Sequence, residues 1–191
     1  MIPQIKEINR ELEGLQKRQD SVMALSRSIV RLAGETITSM HAKSNSEARS
    51  RLVRLKKMVV SLRRIEKGFE YYSMQAHQEY VEACVLYMII ARGKVPGMLE
   101  LGEGSVSYML GVMDVVGELK RECFEEMRAR NLAVAKHHFA VMQGIYDSTL
   151  HMRFANSVLP NFRKKQDVAR IQLESTGSEL LRLDAIVDRF K

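Results

Sequence analysis

The 191-residue chain has no tryptophan, three prolines and two cysteines, and each scarcity excludes something. With so little proline, long stretches are free of the residue that breaks helices. Cys84 and Cys123 lie far apart and form no C-x-x-C, so they do not suggest a zinc site or a disulfide framework, and both are expected as buried thiols. The longest apolar run, Ala83 to Ala91, falls short of the ~20 residues a membrane span needs. The segment Met1-Ile2-Pro3-Gln4-Ile5-Lys6-Glu7 lacks a signal peptide's apolar core. A soluble, cytoplasmic protein without membrane contact is expected. H-E-x-x-H, G-x-S-x-G and glycine-rich phosphate loops are missing. No glutamate has a histidine three residues later, which excludes the ferritin-like di-iron pattern.

No segment alternates with a period of two, and the apolar residues recur at helical spacing instead. Ile5, Ile8, Leu12, Leu15, Val22, Leu25, Ile29 and Leu32 predict a first helix that weakens at Gly34, with a turn at 43–46 and Ser46 as the next N-cap. Leu52, Leu55, Val59 and Leu62 mark a second helix, and a third spans about 69–92, with Tyr72, Ala76, Tyr80, Ala83 and Tyr87 as its buried stripe. Gly93, Pro96, Gly97, Gly102 and Gly104 predict an open loop. Further helices are expected over 105–126, 131–154 and from Pro160 to Phe190. The expectation is one all-α domain over 1–191, an elongated antiparallel bundle of about six or seven helices. The twelve methionines suit gap-filling between such helices.

Net charge is +7, and it is concentrated in one segment. Arg49, Arg51, Arg54, Lys56, Lys57, Arg63, Arg64 and Lys67 stand against the single acid Glu66, so the rest of the chain sums to zero. Such a cluster is either the footprint of a polyanion partner or a solvated helix face. His137 and His138 are adjacent and point to different helix faces, and they read as structural or solvated, as do His41 and His151. Asp184 and Asp188, among Arg182 and Arg189, read as a surface ion-pair face.

The chemically telling residues are acids in apolar surroundings. Glu79 and Glu82 precede nine uncharged residues, Ala83 to Ala91, and Asp114 and Glu118 are the only charges between Ser105 and Leu119. Residues three or four apart share a helix face, so each pair presents two carboxylates side by side. Two such helices could supply four oxygen ligands to one point, a donor set that suits magnesium or manganese. Ser107, Gly111, Asp114 and Glu118 form a small, polar stripe that leaves room for a ligand. The alternative is close helix packing at Gly111 and Gly117, with the acids satisfied by arginines such as Arg92 or Arg121.

At these motifs the chain resembles the translin and Trax family of RNA-binding and RNA-cleaving proteins. Tyr108-Met109-Leu110-Gly111-Val112-Met113-Asp114-Val115-Val116-Gly117-Glu118-Leu119 is similar to Trax's Y-L-L-G-V-A-D-L-T-G-E-L, and Gln78 to Ala83 matches its Q-E-Y-V-E-A. Phe162-Arg163-Lys164-Lys165 looks like the start of the family's last helix. Translin has arginine where Glu79 stands here and lacks the acidic pair, so the resemblance is to the catalytic Trax branch. It implies Glu79, Glu82, Asp114 and Glu118 as catalytic, metal-holding carboxylates for magnesium-dependent cleavage of single-stranded RNA. It also implies an octamer enclosing a cavity with the carboxylates facing inward. The chain's compactness and the long apolar seam of its first helix favour a homo-oligomer, and an enclosed site would admit single strands and short RNAs, short duplex RNA among them. A non-catalytic RNA- or DNA-binding oligomer is the rival reading.

Overall fold

Seven α-helices and no strand account for the regular structure of residues 3–189, the part of the chain described by the computed structural model; side chains are described through residue 186. In chain order they are α1 (Ile5–His41), α2 (Asn45–Ile65), α3 (Glu70–Arg92), α4 (Met98–Leu101), α5 (Ser105–Arg128), α6 (Leu132–Thr149) and α7 (Phe162–Arg189). The fold class is therefore all-α, as its periodicity indicates. The expected end of the last helix at Phe190 lies outside the described residues.

Several features differ from expectation, among them the start of α7 at Phe162 rather than Pro160. α1 passes Gly34 without interruption, although glycine there costs about 1 kcal/mol relative to alanine. Burial of Ala33, Thr36, Ile37 and Met40 on both sides outweighs that cost. α2 starts at Asn45, with Ser44 rather than Ser46 at the N-cap position. The loop between Gly93 and Gly104 holds one helical turn, α4, and α6 ends at Thr149, short of Phe154.

The residues gather into two compact units, Met1–Tyr87 and Met88–Lys191. In the first, α1 and α2 are joined by the short turn 42–44, which makes them antiparallel neighbours. They bury Val22, Ile29, Leu32 and Ile37 from α1 and Leu55, Val59 and Leu62 from α2. Each such side chain contributes about 1.5–3 kcal/mol when fully buried. Two contacts secure the turn between α2 and α3. The Arg18 guanidinium donates to the Lys67 carbonyl at 2.9 Å and lies over the Phe69 ring at 4.8 Å. Glu66, just past α2, pairs with His77 of α3 at 2.8 Å.

The first-helix seam departs most from expectation. Val22, Ile29 and Leu32 are buried, but Ile5, Ile8, Leu12 and Leu15 are 51%, 42%, 57% and 40% exposed. Every residue from Pro3 to Arg18 is exposed. On α3 the expected stripe holds at Ala76, Tyr80 and Ala83, whereas Tyr87 is half-buried and Tyr72 exposed.

In the second unit α5 and α6 are joined by the turn 129–131, and α7 packs on both. Glycine permits a close approach between α6 and α7. A Cβ on Gly177 would stand 3.1 Å from the Phe139 ring. Asp184 pairs with Lys136 of α6 at 2.8 Å, while Arg182 pairs with Glu179, so the expected ion-pair face at Asp184 is an α6–α7 tie instead. The side chains of Asp188 and Arg189 lie outside those described. No helix among the described residues is long and apolar enough to cross a membrane.

Neither thiol is in a disulfide, and only Cys123 is buried; Cys84 is half-buried. The Cys123 thiol donates to the Ala135 carbonyl at 3.3 Å and lies 3.9 Å from the Met142 sulfur. Burial first, and the neighbouring Glu122 second, push its pKa up to about 12. Between an unfolded thiol's pKa of roughly 8.5 and that value the unfolded chain binds fewer protons. Stability from this group is therefore complete below the lower value and declines as pH rises through the window. At pH 8, titration with Ellman's reagent should label Cys84 alone, with Cys123 reacting only after unfolding in guanidinium. Equal rates for both thiols in the native protein would contradict this.

Candidate functional site

Each carboxylate pair sits where a helix loses its polar face. On α3, Glu82 is only 8% exposed and Glu79 is half-buried, one turn away on the same face. α3 buries Tyr80, Val81, Ala83, Val85, Leu86 and Ile89 nearly all round, so these two acids are held among apolar neighbours in sequence. His77, buried beside them in the chain, is anchored by Glu66. That pair was not legible from spacing, because eleven residues separate the partners.

On α5 Asp114 and Glu118 are half-buried, and the acidic stripe continues one turn further to Glu122, which is 1% exposed. The four-residue spacing 114–118–122 is a sequence signal that identifies Glu122 as well. Asp114 forms an ion pair with Lys165 of α7, 51 residues away; the two side chains are 26% and 21% exposed. The counter-charge on Asp114 is thus a lysine from the last helix, not Arg92 or Arg121, both of which are exposed. Gly117 admits α7 here, since a Cβ would stand 3.2 Å from the Gln172 amide nitrogen. Both readings of the glycine stripe hold at Gly117, because it packs against α7 and also lines a cavity. That cavity, of about 390 Å³, is bounded by Met113, Asp114, Gly117, Asn161, Lys164, Lys165, Val168 and Gln172. Sequence spacing did not indicate the α7 contributors.

The donor chemistry suits a hard divalent cation, because Glu79, Glu82, Asp114 and Glu118 offer only carboxylate oxygens. Among the described residues no group of three or more His, Cys, Asp or Glu side chains stands close enough to hold a metal ion. Each helix supplies one pair, and the Lys165 ammonium occupies one oxygen of Asp114.

Along α2 the basic residues divide into two groups. Arg49, Arg54, Lys56, Lys57, Arg64 and Lys67 are exposed, whereas Arg51 and Arg63 are half-buried. Arg51 turns back onto α1, where it donates to the Glu35 carbonyl at 2.9 Å and to the Ser39 hydroxyl. It also pairs with Glu47 at 2.8 Å. Its role in this structure is to tie α1 to α2.

No family model matches the chain. An uncharacterised protein of Methanocaldococcus jannaschii is 32% identical over 167 residues, 85% of this chain and 75% of that protein. Among solved structures, apo-NeC3PO superposes with a TM-score of 0.88 at 23% identity, covering 95% of this chain and 97% of that one. AfC3PO superposes at 0.86 and 26% identity, covering 98% and 99%. The complex of AfC3PO with duplex RNA gives 0.86 and 25% over 95% and 97%. These likenesses define a translin-like all-α protein of the C3PO type, C3PO being the translin/Trax complex. The chain matches these C3PO structures over nearly its whole length, and it shares a family with the Methanocaldococcus jannaschii protein.

The contacts of Arg51 predict a stability effect that its exposed neighbours lack. Arg51→Met should lower stability by about 1–3 kcal/mol, since it leaves the buried Ser39 hydroxyl and the Glu35 carbonyl without that donor. Arg54→Met should stay within about 0.5 kcal/mol of the parent. Urea denaturation of the two variants is the check, and equal midpoints would contradict the α1–α2 tie.

Proposed function

We propose that this protein is a metal-dependent endoribonuclease acting on single-stranded RNA as a homo-oligomer in the cytoplasm, where thiols such as these stay reduced. One observation carries the reading: Glu82 is buried and Asp114 half-buried in apolar helices, within the two stretches that match Trax. Glu79, Glu82, Asp114 and Glu118 are the proposed ligands of magnesium or manganese. When bound, such an ion lowers the pKa of water and offsets charge building on the phosphate. The exposed basic residues of α2 would bind RNA through its phosphates, contacts that carry no sequence information directly. The duplex RNA held by AfC3PO supports short duplexes as a second ligand.

A non-catalytic RNA-binding oligomer is the second reading. It is favoured by the Lys165 ammonium, which already supplies Asp114 with a counter-charge. Asp114→Asn separates the two readings, because Asn keeps the volume and removes the charge a metal needs. Cleavage of labelled single-stranded RNA in magnesium should fall by at least about a hundredfold, with RNA affinity in EDTA near normal. Glu79→Gln and Glu82→Gln should behave alike, and products should carry 5′-phosphate and 3′-hydroxyl ends. Undiminished cleavage by all three variants would refute the catalytic assignment of these carboxylates, and cyclic phosphate ends would refute the metal-activated water.

The exposed α1 seam supports self-association. Ile5, Ile8, Leu12 and Leu15 are spaced three, four and three apart, the a/d pattern of a helix that packs on another. Few isolated helices of this length hold together in water without such packing. Eight copies are proposed from the family likeness. Light scattering should give a multiple of 21.9 kDa, and Ile8→Asp with Leu12→Asp should reduce that mass. A parent protein that runs as a monomer at micromolar concentration would refute the oligomer.

A further inference from the structure

The start of α7 has the wrong charge for its position. A helix N-terminus carries partial positive charge and favours anions, yet α7 opens with Arg163, Lys164 and Lys165 and has no acid in its first turn. The cavity beside it contains both lysines, the side-chain amides of Asn161 and Gln172, and a single acid, Asp114. Asp114 neutralises Lys165. Lys164 is exposed and has no ion-pair partner among the described residues. Two ammonium groups against one carboxylate leave a net charge of +1, which is what one phosphodiester cancels. The volume of about 390 Å³ is ample for a phosphate group with its flanking atoms. Gly117 keeps the wall on α5 open, because a side chain there would meet Gln172.

We infer that this cavity is a phosphate-binding pocket for one phosphodiester of an RNA strand, with Lys164 and Lys165 as positioning residues and the Asp114–Lys165 ion pair as its ligand-free form. The RNA strand as ligand rests on the function proposed above. On binding, the Lys165 ammonium exchanges an oxygen of Asp114 for an oxygen of the phosphate, and Lys164 adds a second charge. An anion at this point also interacts favourably with the N-terminus of α7. The pocket therefore places the backbone next to Asp114, through groups that a search for carboxylates does not identify.

Calorimetric titration of the full chain in EDTA, first with inorganic phosphate and then with a short single-stranded RNA, tests this inference. Phosphate should bind the parent protein, at least tenfold more weakly to Lys165→Met, and measurably more weakly to Lys164→Met. RNA affinity should fall in the same order, and each lost contact should reduce the slope of log K against log salt by roughly 0.7. Excess phosphate should compete with RNA. Lys164 is exposed, so its variant tests the pocket even if Lys165→Met is unstable. Arg54→Glu with Lys57→Glu is the control, expected to weaken RNA binding and leave inorganic phosphate binding unchanged. Phosphate affinity that is absent in the parent, or unaltered in both lysine variants, overturns the pocket. Lysine-dependent phosphate binding without competition from RNA overturns the strand as its ligand. Because every readout is binding in EDTA, full cleavage by Asp114→Asn, Glu79→Gln and Glu82→Gln would refute the catalytic carboxylates without touching this result.

Discussion

A carboxylate held against apolar helix faces needs a counter-charge, and the second unit is arranged around one such requirement. Asp114 of α5 and Lys165 of α7 face each other, and the pair can meet only where the two helices come close. Gly117 provides that closeness by leaving space for Gln172. Removing one member of a buried pair typically costs about 3–5 kcal/mol, because the other charge is left uncompensated. This pair is only about three-quarters buried, so a smaller penalty applies, and the ammonium is free to exchange partners. The same ion pair that satisfies the fold thus leaves the site able to accept another ligand.

The two units handle polar groups in different ways. In the first, contacts to backbone and ring positions predominate. Arg18 holds the turn into α3, Arg51 joins α1 to α2, and Glu66 fixes His77. In the second, charges pair across helices, Lys165 with Asp114 and Lys136 with Asp184. An all-α fold has no strand ladder to set spacing between elements, so side-chain contacts of this kind, together with small residues such as Gly177, set the distance between helices.

Charge and hydrophobicity are also displayed where packing does not use them. Five basic side chains of α2, with Lys67 just beyond it, remain exposed, and the first turns of α1 present four large apolar residues to solvent. Both features are costly or neutral for an isolated chain, which is why they bear on partners rather than on the fold.

Local sequence determined the helices. Apolar residues at three- and four-residue spacing mark α1, α2, α3 and α5, and the period alone excludes strands. It also determined which acids are unusual, because Glu79, Glu82, Asp114 and Glu118 stand out against uncharged neighbours, and the matching motifs indicated the family. Tertiary structure decided the rest. Whether an apolar seam is buried depends on what covers it, so Val22 and Ile5 lie in the same stripe and differ in fate. Whether a basic residue faces solvent depends on its neighbours in space, so Arg51 is withdrawn while Arg54 is not. The partner of Asp114 lies 51 residues further on. Periodicity is a property of a few consecutive turns, whereas a counter-charge is chosen by the packing of helices distant in the chain.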